Sequence, residues 1–271
     1  MFVDTHTHFY DEWLLPDAEA AIQRALDAGV GKMIQADIDS HERPVMWAVG
    51  RRHPGVLYQM LGLYPGSVTA DNWKEEMDQV YRLAAGDARS VPGMTEVAPG
   101  MTAFAAIGEI GLDYHEGKEY AKEQKEVLRL QLELAARLDL PVNIHLRDAW
   151  EDFFAILEDC RHLHLRGNLH CFSGSYEVYE RANRSGDFSV GIGGVLTFKN
   201  SGLPATVARI PMEHILLETD APYLAPAPYR GKRNESAFIP RIAAKLAEVK
   251  NLSLNETETI TTDNAIRLFN L

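Results

Sequence analysis

The chain of 271 residues is 46% hydrophobic and 24% charged, which is enough apolar material for one large core, and its formal net charge is −12. Such an acidic surface argues against a protein that coats DNA or an anionic membrane, because its field repels polyanions. No stretch reaches the roughly 20 apolar residues of a membrane span, and no signal-peptide pattern is present. The two cysteines form no disulfide framework, so the sequence favours a soluble, cytoplasmic protein.

Short apolar runs with strand character alternate with segments of helical periodicity along the chain. The sequence predicts eight strands, at Phe2–His6, Met33–Ala36, Val56–Leu61, Ala105–Ile110, Val142–Leu146, Gly167–Cys171, Phe188–Ile192 and Ile215–Thr219. Helices are predicted between them, among others at Asp17–Ala28, Arg43–Arg52, Asn72–Ala85, Tyr120–Leu138 and Ala149–Cys160. Asp71 is the predicted N-cap of the third of these helices.

The strand–helix alternation predicts the fold. Eight such repeats with short connections indicate a closed, single (β/α)₈ TIM barrel that spans residues 1–271 as one domain. A doubly wound open sheet is the competing fold. Ser253-Leu254-Asn255-Glu256 has the pattern of a capping box and predicts a final helix that ends at Leu268. Gly86–Thr102 is predicted to be a loop inserted before the fourth strand.

Histidines and carboxylates fall at the ends of the predicted strands. Alternate residues of a strand share a face, so Asp4, His6 and His8 of the first strand point together. A TIM barrel places its active site where the carboxyl ends of the strands meet. For a lone histidine a hydrogen-bonded core position is the alternative interpretation, but five strand ends carry residues of this type. They predict a metal centre with six ligands: His6, His8, Glu109, His145, His170 and Asp220.

Glu109 is the most informative of these residues, because it interrupts an apolar strand between Gly108 and Gly111, which leave room around it. A carboxylate in that position is costly unless it is paired or bound to metal. Six ligands exceed the three or four that hold one catalytic zinc. Two divalent cations about 3.5–4 Å apart that share a bridging carboxylate fit better.

Imidazole and carboxylate ligands suit zinc, manganese or magnesium, and the pattern does not choose among them. Two dications, two carboxylates and a bridging hydroxide leave a local charge of about +1, which can accept a phosphate in an acidic protein. We expect the hydroxide to be the nucleophile. Asp220 is the candidate that orients it and carries its proton to the leaving group, with Glu109 as the second catalytic carboxylate.

Several blocks of the sequence, in order and over nearly the whole chain, resemble the TatD family of metal-dependent hydrolases. They are Asp4-Thr5-His6-Thr7-His8, Ile107-Gly108-Glu109-Ile110-Gly111-Leu112-Asp113-Tyr114, His145-Leu146-Arg147-Asp148-Ala149, His170-Cys171-Phe172-Ser173-Gly174-Ser175, and Leu217-Glu218-Thr219-Asp220-Ala221-Pro222-Tyr223-Leu224. The resemblance implies an amidohydrolase-like barrel in which His6 and His8 hold one metal with Asp220. It also implies that Glu109 bridges, that His145 and His170 hold the second metal, and that the substrate is DNA, commonly degraded as a 3′→5′ exonuclease.

The chain departs from that family after its third strand. Many members carry Gly-x-His-Pro-His, whereas this chain has Gly62-Leu63-Tyr64-Pro65-Gly66. The contact to the phosphate or the leaving group is therefore the part of the site that differs. Tyr64 is a candidate donor to substrate in that place, with a packing role as the equal alternative.

A basic cluster in the acidic chain supplies the remaining substrate candidates, Arg230, Lys232 and Arg233. After the eighth strand these cations lie where they could hold phosphate, and a salt-bridged surface loop with Glu235 is the alternative. Arg147 has the same two interpretations. Glu218 is expected to support the barrel interior and Cys171 to pack.

Three functions remain open from the sequence: a deoxyribonuclease or broader phosphodiesterase, a hydrolase of amide, lactone or phosphotriester bonds on the same site, and a non-catalytic metal-binding barrel. The expected partner is DNA or another phosphodiester, and no membrane partner is expected. The metal, the polarity of digestion and the oligomeric state stay undetermined.

Overall fold

A computed structural model describes residues 1–87 and 104–271. In this part of the chain the strands are β1 (Phe2–Thr7), β2 (Val30–Gln35), β3 (Leu57–Gln59), β4 (Ile107–Asp113), β5 (Val142–Arg147), β6 (Arg166–Leu169), β7 (Asp187–Ile192) and β8 (Ile215–Leu217). The helices are α1 (Ala18–Asp27), α2 (Arg43–Gly50), α3 (Trp73–Ala84), α4 (Ala121–Leu138), α5 (Trp150–Asp159), α6 (Tyr176–Ala182), α7 (Leu203–Arg209), α8 (Ile239–Lys250) and α9 (Leu254–Phe269).

All neighbouring strands pair in parallel, in the order β1-β2-β3 and β4-β5-β6-β7-β8. Two parallel bridges join these sheets at both edges, one between Leu61 and Ile107 and one between Thr7 and Ala221. At the second edge the backbone N–H of Asp220 donates to the carbonyl of His6 over 2.9 Å. The eight strands therefore close, which confirms the TIM barrel and excludes the open sheet.

The helices cover the barrel through their apolar faces. In α4 the buried residues Val127, Leu128, Leu132 and Ala135 recur at helical spacing, and this helix packs against β4. The C-terminal helix α9 packs against β1 and β8, and the capping box of Ser253 and Glu256 at its start is confirmed. None of the helices in residues 1–87 and 104–271 has the length and hydropathy needed to cross a bilayer.

The predicted helix cap at Asp71 is wrong. Helix α3 begins at Trp73, its N-cap residue is Asn72, and no side chain caps it. The helix starts one residue later than a cap at Asp71 requires, and the Asn72 carboxamide oxygen accepts the backbone N–H of Thr69 over 2.8 Å in the preceding turn rather than capping the helix. The predicted loop Gly86–Thr102 lies outside the described residues apart from Gly86 and Asp87.

Strands β2, β3, β6 and β8 end earlier than the sequence predicts, and the ends of β6 and β8 matter for the site. Strand β6 ends at Leu169 and β8 ends at Leu217, so His170 and Asp220 lie just beyond the strands. Near these ends the apolar core gives way to fully or almost fully buried polar side chains, which include His6, Gln35, Asp37, Glu109, Asn143, Asn168 and Glu218. Because buried polar groups need partners, these side chains indicate an internal polar site at the end of the barrel.

Candidate metal centre

The first strand contributes two imidazoles whose metal-binding nitrogens point to the same place. The Nε2 atoms of His6 and His8 are 3.0 Å apart. The opposite nitrogen of each ring is anchored: Nδ1 of His6 lies 2.9 Å from Oδ1 of Asn143, and Nδ1 of His8 lies 2.8 Å from the hydroxyl of Tyr10. Tyr10 donates its own proton to the carbonyl of Ala36, so its oxygen is free to accept. Both anchors fix Nε2 as the free ligand atom.

Two further imidazoles from β5 and the end of β6 are anchored in the same way. Nε2 of His145 lies 2.9 Å from Oδ2 of Asp113, which turns its Nδ1 toward Glu109. Nδ1 of His170 lies 3.0 Å from Oε1 of Glu218, which turns its Nε2 toward Glu109. An acceptor on the far nitrogen is the arrangement that orients histidines as metal ligands.

Glu109 lies between the two pairs of imidazoles. Its Oε2 is 3.3 Å from Nε2 of His6, and its Oε1 is 3.0 Å from Nδ1 of His145. One oxygen therefore faces each pair, as in a carboxylate that bridges two cations. The flanking glycines leave room for this packing, because a Cβ at Gly111 would lie 1.9 Å from the carbonyl oxygen of His145, and one at Gly108 2.8 Å from the Met60 sulfur.

Asp220 completes the site from the segment after β8. Its Oδ1 lies 3.4 Å from Nε2 of His8 and 3.7 Å from Nε2 of His6. Its side chain is 16% exposed whereas that of Glu109 is 5% exposed, so Asp220 is the carboxylate that faces outward. Upstream, Asp4 accepts the backbone N–H and hydroxyl of Thr219 and so ties β1 to this segment.

Among the residues that the structure describes, two sets of three donors are close enough to hold a metal ion, with ligand atoms within 4.8 Å of one another. One is His6, His8 and Asp220, and the other is His6, Glu109 and His170. The donors are imidazole nitrogens and carboxylate oxygens, which fit a borderline divalent cation. The first set matches the expected grouping, whereas the second contains His6 in place of His145. Nδ1 of His145 faces Glu109, while its Nε2 contacts Asp113.

The charges of the cluster are strongly coupled. Burial alone would lower the pKa of His6, but the charges of Glu109 and Asp220 outweigh it and raise that pKa to about 10. Burial would raise the pKa of Glu109, but His6 and His170 hold it well below its usual range. Without ions His6 therefore holds a proton that balances the carboxylate charge, in the place that a cation would take.

His145 and Asp113 form a second coupled pair. Burial lowers the pKa of His145, but hydrogen bonds to Asp113 and Glu109 overcome it and raise the pKa to about 9. The pKa of Asp113 falls to about 2, since the His145 contact outweighs its own burial. Asp113 is also held from its backbone side, because its Oδ1 accepts the N–H groups of His115 and Glu116. It is a fixed support for the ring.

Sequence reasoning missed three of the four supports, namely Tyr10, Asp113 and Asn143. Asn143 precedes His145 by two residues on β5, but it serves His6 of β1. The fourth support, Glu218, is buried as expected, and it accepts from the backbone N–H of Cys171 as well as from His170.

Tyr64 packs against a candidate ligand. Its ring meets that of His145 edge-on with 5.0 Å between centroids, and its hydroxyl lies 3.5 Å from Oδ2 of Asp113. Burial raises its pKa, so the hydroxyl keeps its proton. Tyr64 thus faces the same carboxylate that supports His145.

The basic candidates differ in their partners. Arg233 is engaged by Asp17 over 2.5 Å and by the carbonyl of Trp13, as in the salt-bridged loop considered above. Arg147 is exposed and pairs with Glu116 over 3.1 Å. The Arg230 guanidinium lies over the ring of Phe198, 4.6 Å from its centroid. Within residues 1–87 and 104–271, Arg230 and Lys232 have no carboxylate partner.

Comparison with known proteins decides the family. The family model described as TatD related DNase matches residues 3–270. This chain belongs to the TatD family. The TatD resemblance of the sequence is thereby confirmed, and the protein is a metal-dependent hydrolase.

Individual TatD relatives cover the chain end to end. It is similar to the metal-dependent hydrolase YabD of Bacillus subtilis, with 35% identity over 274 residues and 100% of both chains covered. It is 33% identical over 261 residues to the 3′-5′ ssDNA/RNA exonuclease TatD of Erwinia tasmaniensis, with 94% of each chain covered. The crystal structure of the TatD homologue YjjV of Escherichia coli superposes with a TM-score of 0.85 at 30% identity and covers 100% of this chain and 98% of its own.

Proposed function

We propose that this protein is a divalent-metal-dependent phosphodiesterase that removes nucleotides from the 3′ end of single-stranded DNA. The observation that carries the proposal is the set of four imidazoles, each anchored through one nitrogen and turned with the other toward Glu109 or Asp220. The relative named as a 3′-5′ ssDNA/RNA exonuclease supports the substrate class.

The donor set assigns the ligands in this proposal. His6, His8 and Asp220 would hold one divalent cation, and His145 and His170 would hold the second, with Glu109 between the two sets of donors. Zinc, manganese or magnesium bound here would supply Lewis acidity and lower the pKa of water toward about 7. Two cations also offset the carboxylates, so a phosphodiester can approach despite the net charge of −12.

Asp220 is the proposed general base and acid. Its carboxylate is held within 4 Å of both β1 imidazoles yet is partly exposed, so a water molecule and a leaving oxygen can reach it. Its pKa is lowered, because the charges of His170 and His6 outweigh its burial, and it is therefore ionised at neutral pH. In the reaction it takes a proton from the attacking water and returns it to the leaving oxygen. Glu109 would hold the cations through the two oxygens that face His6 and His145.

Arg230 and Lys232 are the residues proposed to contact phosphate outside the metal centre. Neither has a carboxylate partner in the described part of the chain. Arg147 contributes only where Glu116 releases it. Arg233 is committed to Asp17 and is assigned to the loop rather than to the substrate. Tyr64 is assigned to the support of His145.

The test is a substrate panel with metal-loaded wild type and Asp220→Asn. Single-stranded DNA labelled at the 5′ or 3′ end, RNA, a phosphotriester and a lactone are offered under the same conditions. We expect the wild type to shorten DNA from its 3′ end, and Asp220→Asn to keep at least one metal, by elemental analysis, while it loses most turnover. Near-normal rates with Asp220→Asn would contradict the proton role.

A second candidate function is hydrolysis of another ester or an amide. The observation that favours it is Tyr64, which stands where many relatives of the chain have a histidine and packs on His145 instead. In the same panel, turnover of the lactone or phosphotriester alone supports this candidate and contradicts the nuclease. Absence of all turnover with two metals bound supports a non-catalytic barrel.

A further inference from the structure

Two large aromatic side chains stand exposed side by side at the mouth of the barrel. Trp13 is 60% exposed and Tyr223 is 45% exposed, and their ring centroids are 6.0 Å apart at an interplanar angle of 51°. Leu15 and Leu224, their near neighbours in sequence, are 36% and 40% exposed. Two large exposed aromatic rings in contact, rather than scattered singly, indicate a binding surface.

The pair is held in position without being buried. Asp11 accepts the backbone N–H of Trp13 over 2.8 Å and the hydroxyl of Tyr223 over 2.6 Å. Arg233 donates to the carbonyl of Trp13 and pairs with Asp17, which ties the segment after β1 to the segment after β8. The rings are therefore pre-organised, so the two side chains lose little conformational entropy when a ligand stacks on them.

The patch is continuous with the metal centre. The ring of Tyr223 lies 6.4 Å from that of His8, edge to face. Its backbone N–H donates to the carbonyl of Asp220 over 2.8 Å, so the segment that carries the candidate catalytic carboxylate also carries the aromatic ring. The distance of 6.4 Å between the rings of Tyr223 and His8 is comparable to the distance between the phosphate and the base of one nucleotide.

Resting on the nuclease function proposed above, we propose that Trp13 and Tyr223 form a stacking platform for the base of the nucleotide whose phosphate lies at the metal centre. The local charge favours a base over a phosphate here, since Asp11 is acidic and Arg233 is already neutralised by Asp17. An aromatic face accepts every base, so the platform positions the substrate without reading its sequence.

The experiment compares two oligonucleotides that differ only at the 3′ terminal nucleotide, which carries a thymine in one and no base in the other. Wild type, Trp13→Ala and Trp13→Phe are assayed with metal, and Leu254→Ala, which removes another exposed apolar side chain, is the control. Binding is measured as well, by fluorescence anisotropy on the same oligonucleotides with phosphorothioate linkages that resist cleavage.

We expect Trp13→Ala to lower kcat/KM and affinity for the base-bearing strand by about tenfold to a hundredfold, the range of one base–aromatic stack. The strand without the terminal base should change less than about twofold, and Trp13→Phe should keep most of the preference. Tyr223→Leu should lower kcat/KM and affinity for the base-bearing strand as Trp13→Ala does. Tyr223→Phe keeps the ring, so both quantities should fall less.

If Trp13→Ala lowers kcat/KM and affinity equally for both strands, or for neither, the stacking platform is wrong, while the proposed nuclease function is unaffected. Failure of the metal-loaded wild type to cleave either strand overturns the proposed function and the platform with it.

Discussion

The substitution Glu218→Gln changes one charge beneath the metal centre and almost nothing of its shape. Oε1 of Glu218 accepts from Nδ1 of His170 over 3.0 Å and from the backbone N–H of Cys171, and Oε2 accepts from Nδ2 of Asn168 over 3.2 Å. The carboxylate is fully buried. A charged acceptor on the far nitrogen makes an imidazole a stronger metal ligand, and an amide oxygen does so less.

The glutamine of the variant Glu218→Gln can find hydrogen-bond partners in the same place. If its oxygen keeps the place of Oε1, its amide group faces Asn168, whose buried Oδ1 has no hydrogen-bond partner among the described residues. A flip of the Asn168 carboxamide then lets that oxygen accept from the new amide. The variant should therefore fold as the wild type does, and the substitution should lower the affinity for metal instead.

We expect the affinity of the metal site that contains His170 to fall by about 10- to 100-fold, equivalent to about 1.4–2.8 kcal/mol. This is the usual effect of removing such a support. Competition titrations against a chromophoric chelator would measure it, with circular dichroism to verify folding. The control is Glu76→Gln on α3, a half-buried carboxylate that accepts two bonds from Ser40. Unchanged affinities at both sites would refute the assignment of Glu218 as a support for a metal ligand.

Three other perturbations probe separate parts of the structure. Because the pKa values of His6 and His145 are raised to about 10 and about 9, zinc binding at pH 7.5 should release protons and tighten as the pH rises toward 9. Calorimetry in buffers of different ionisation enthalpy measures the release, and identical heats in all buffers would contradict it. Arg43→Met leaves Asp37 buried without its 2.6 Å partner and should cost about 3–5 kcal/mol in urea unfolding. Burial already raises the pKa of Asp37 to about 6, so this loss should shrink toward pH 5, where the carboxyl is protonated; a pH-independent loss would count against it. Arg230→Ala should raise KM for DNA by about two- to fivefold, as for an exposed charge pair, and leave KM for a neutral ester unchanged; equal changes would mean that Arg230 is structural.

The sequence predicted the barrel and the candidate ligands because both follow from local patterns. Strand periodicity places His6 and His8 on one face, and parallel strands bring the residues at their carboxyl ends together. An acid in an apolar strand, such as Glu109, needs a partner whatever the fold. Both features are set by residues close together in the sequence, without contacts between distant segments.

Three of the supports, Asp113, Asn143 and Glu218, serve a ring on another strand, which local sequence patterns do not indicate. Tyr10 instead serves His8, two residues before it, from the segment after β1. Asn143 serves a histidine 137 residues away, and Glu218 serves one 48 residues away. Which acceptor meets which ring depends on the stagger of the closed sheet, and single-sequence patterns do not encode it. The failed cap at Asp71 has a local cause instead, since the helix starts at Trp73, one residue later than predicted, and Asp71 lies before the cap position.

The most direct test of the metal centre is an anomalous difference map from crystals grown with zinc, together with elemental analysis of the same protein. We expect about two ions per chain, about 3.5–4 Å apart, each in contact with one oxygen of Glu109. One of them should contact His6, His8 and Asp220, and the other His145 and His170. A single peak, or peaks away from these six side chains, would contradict the account.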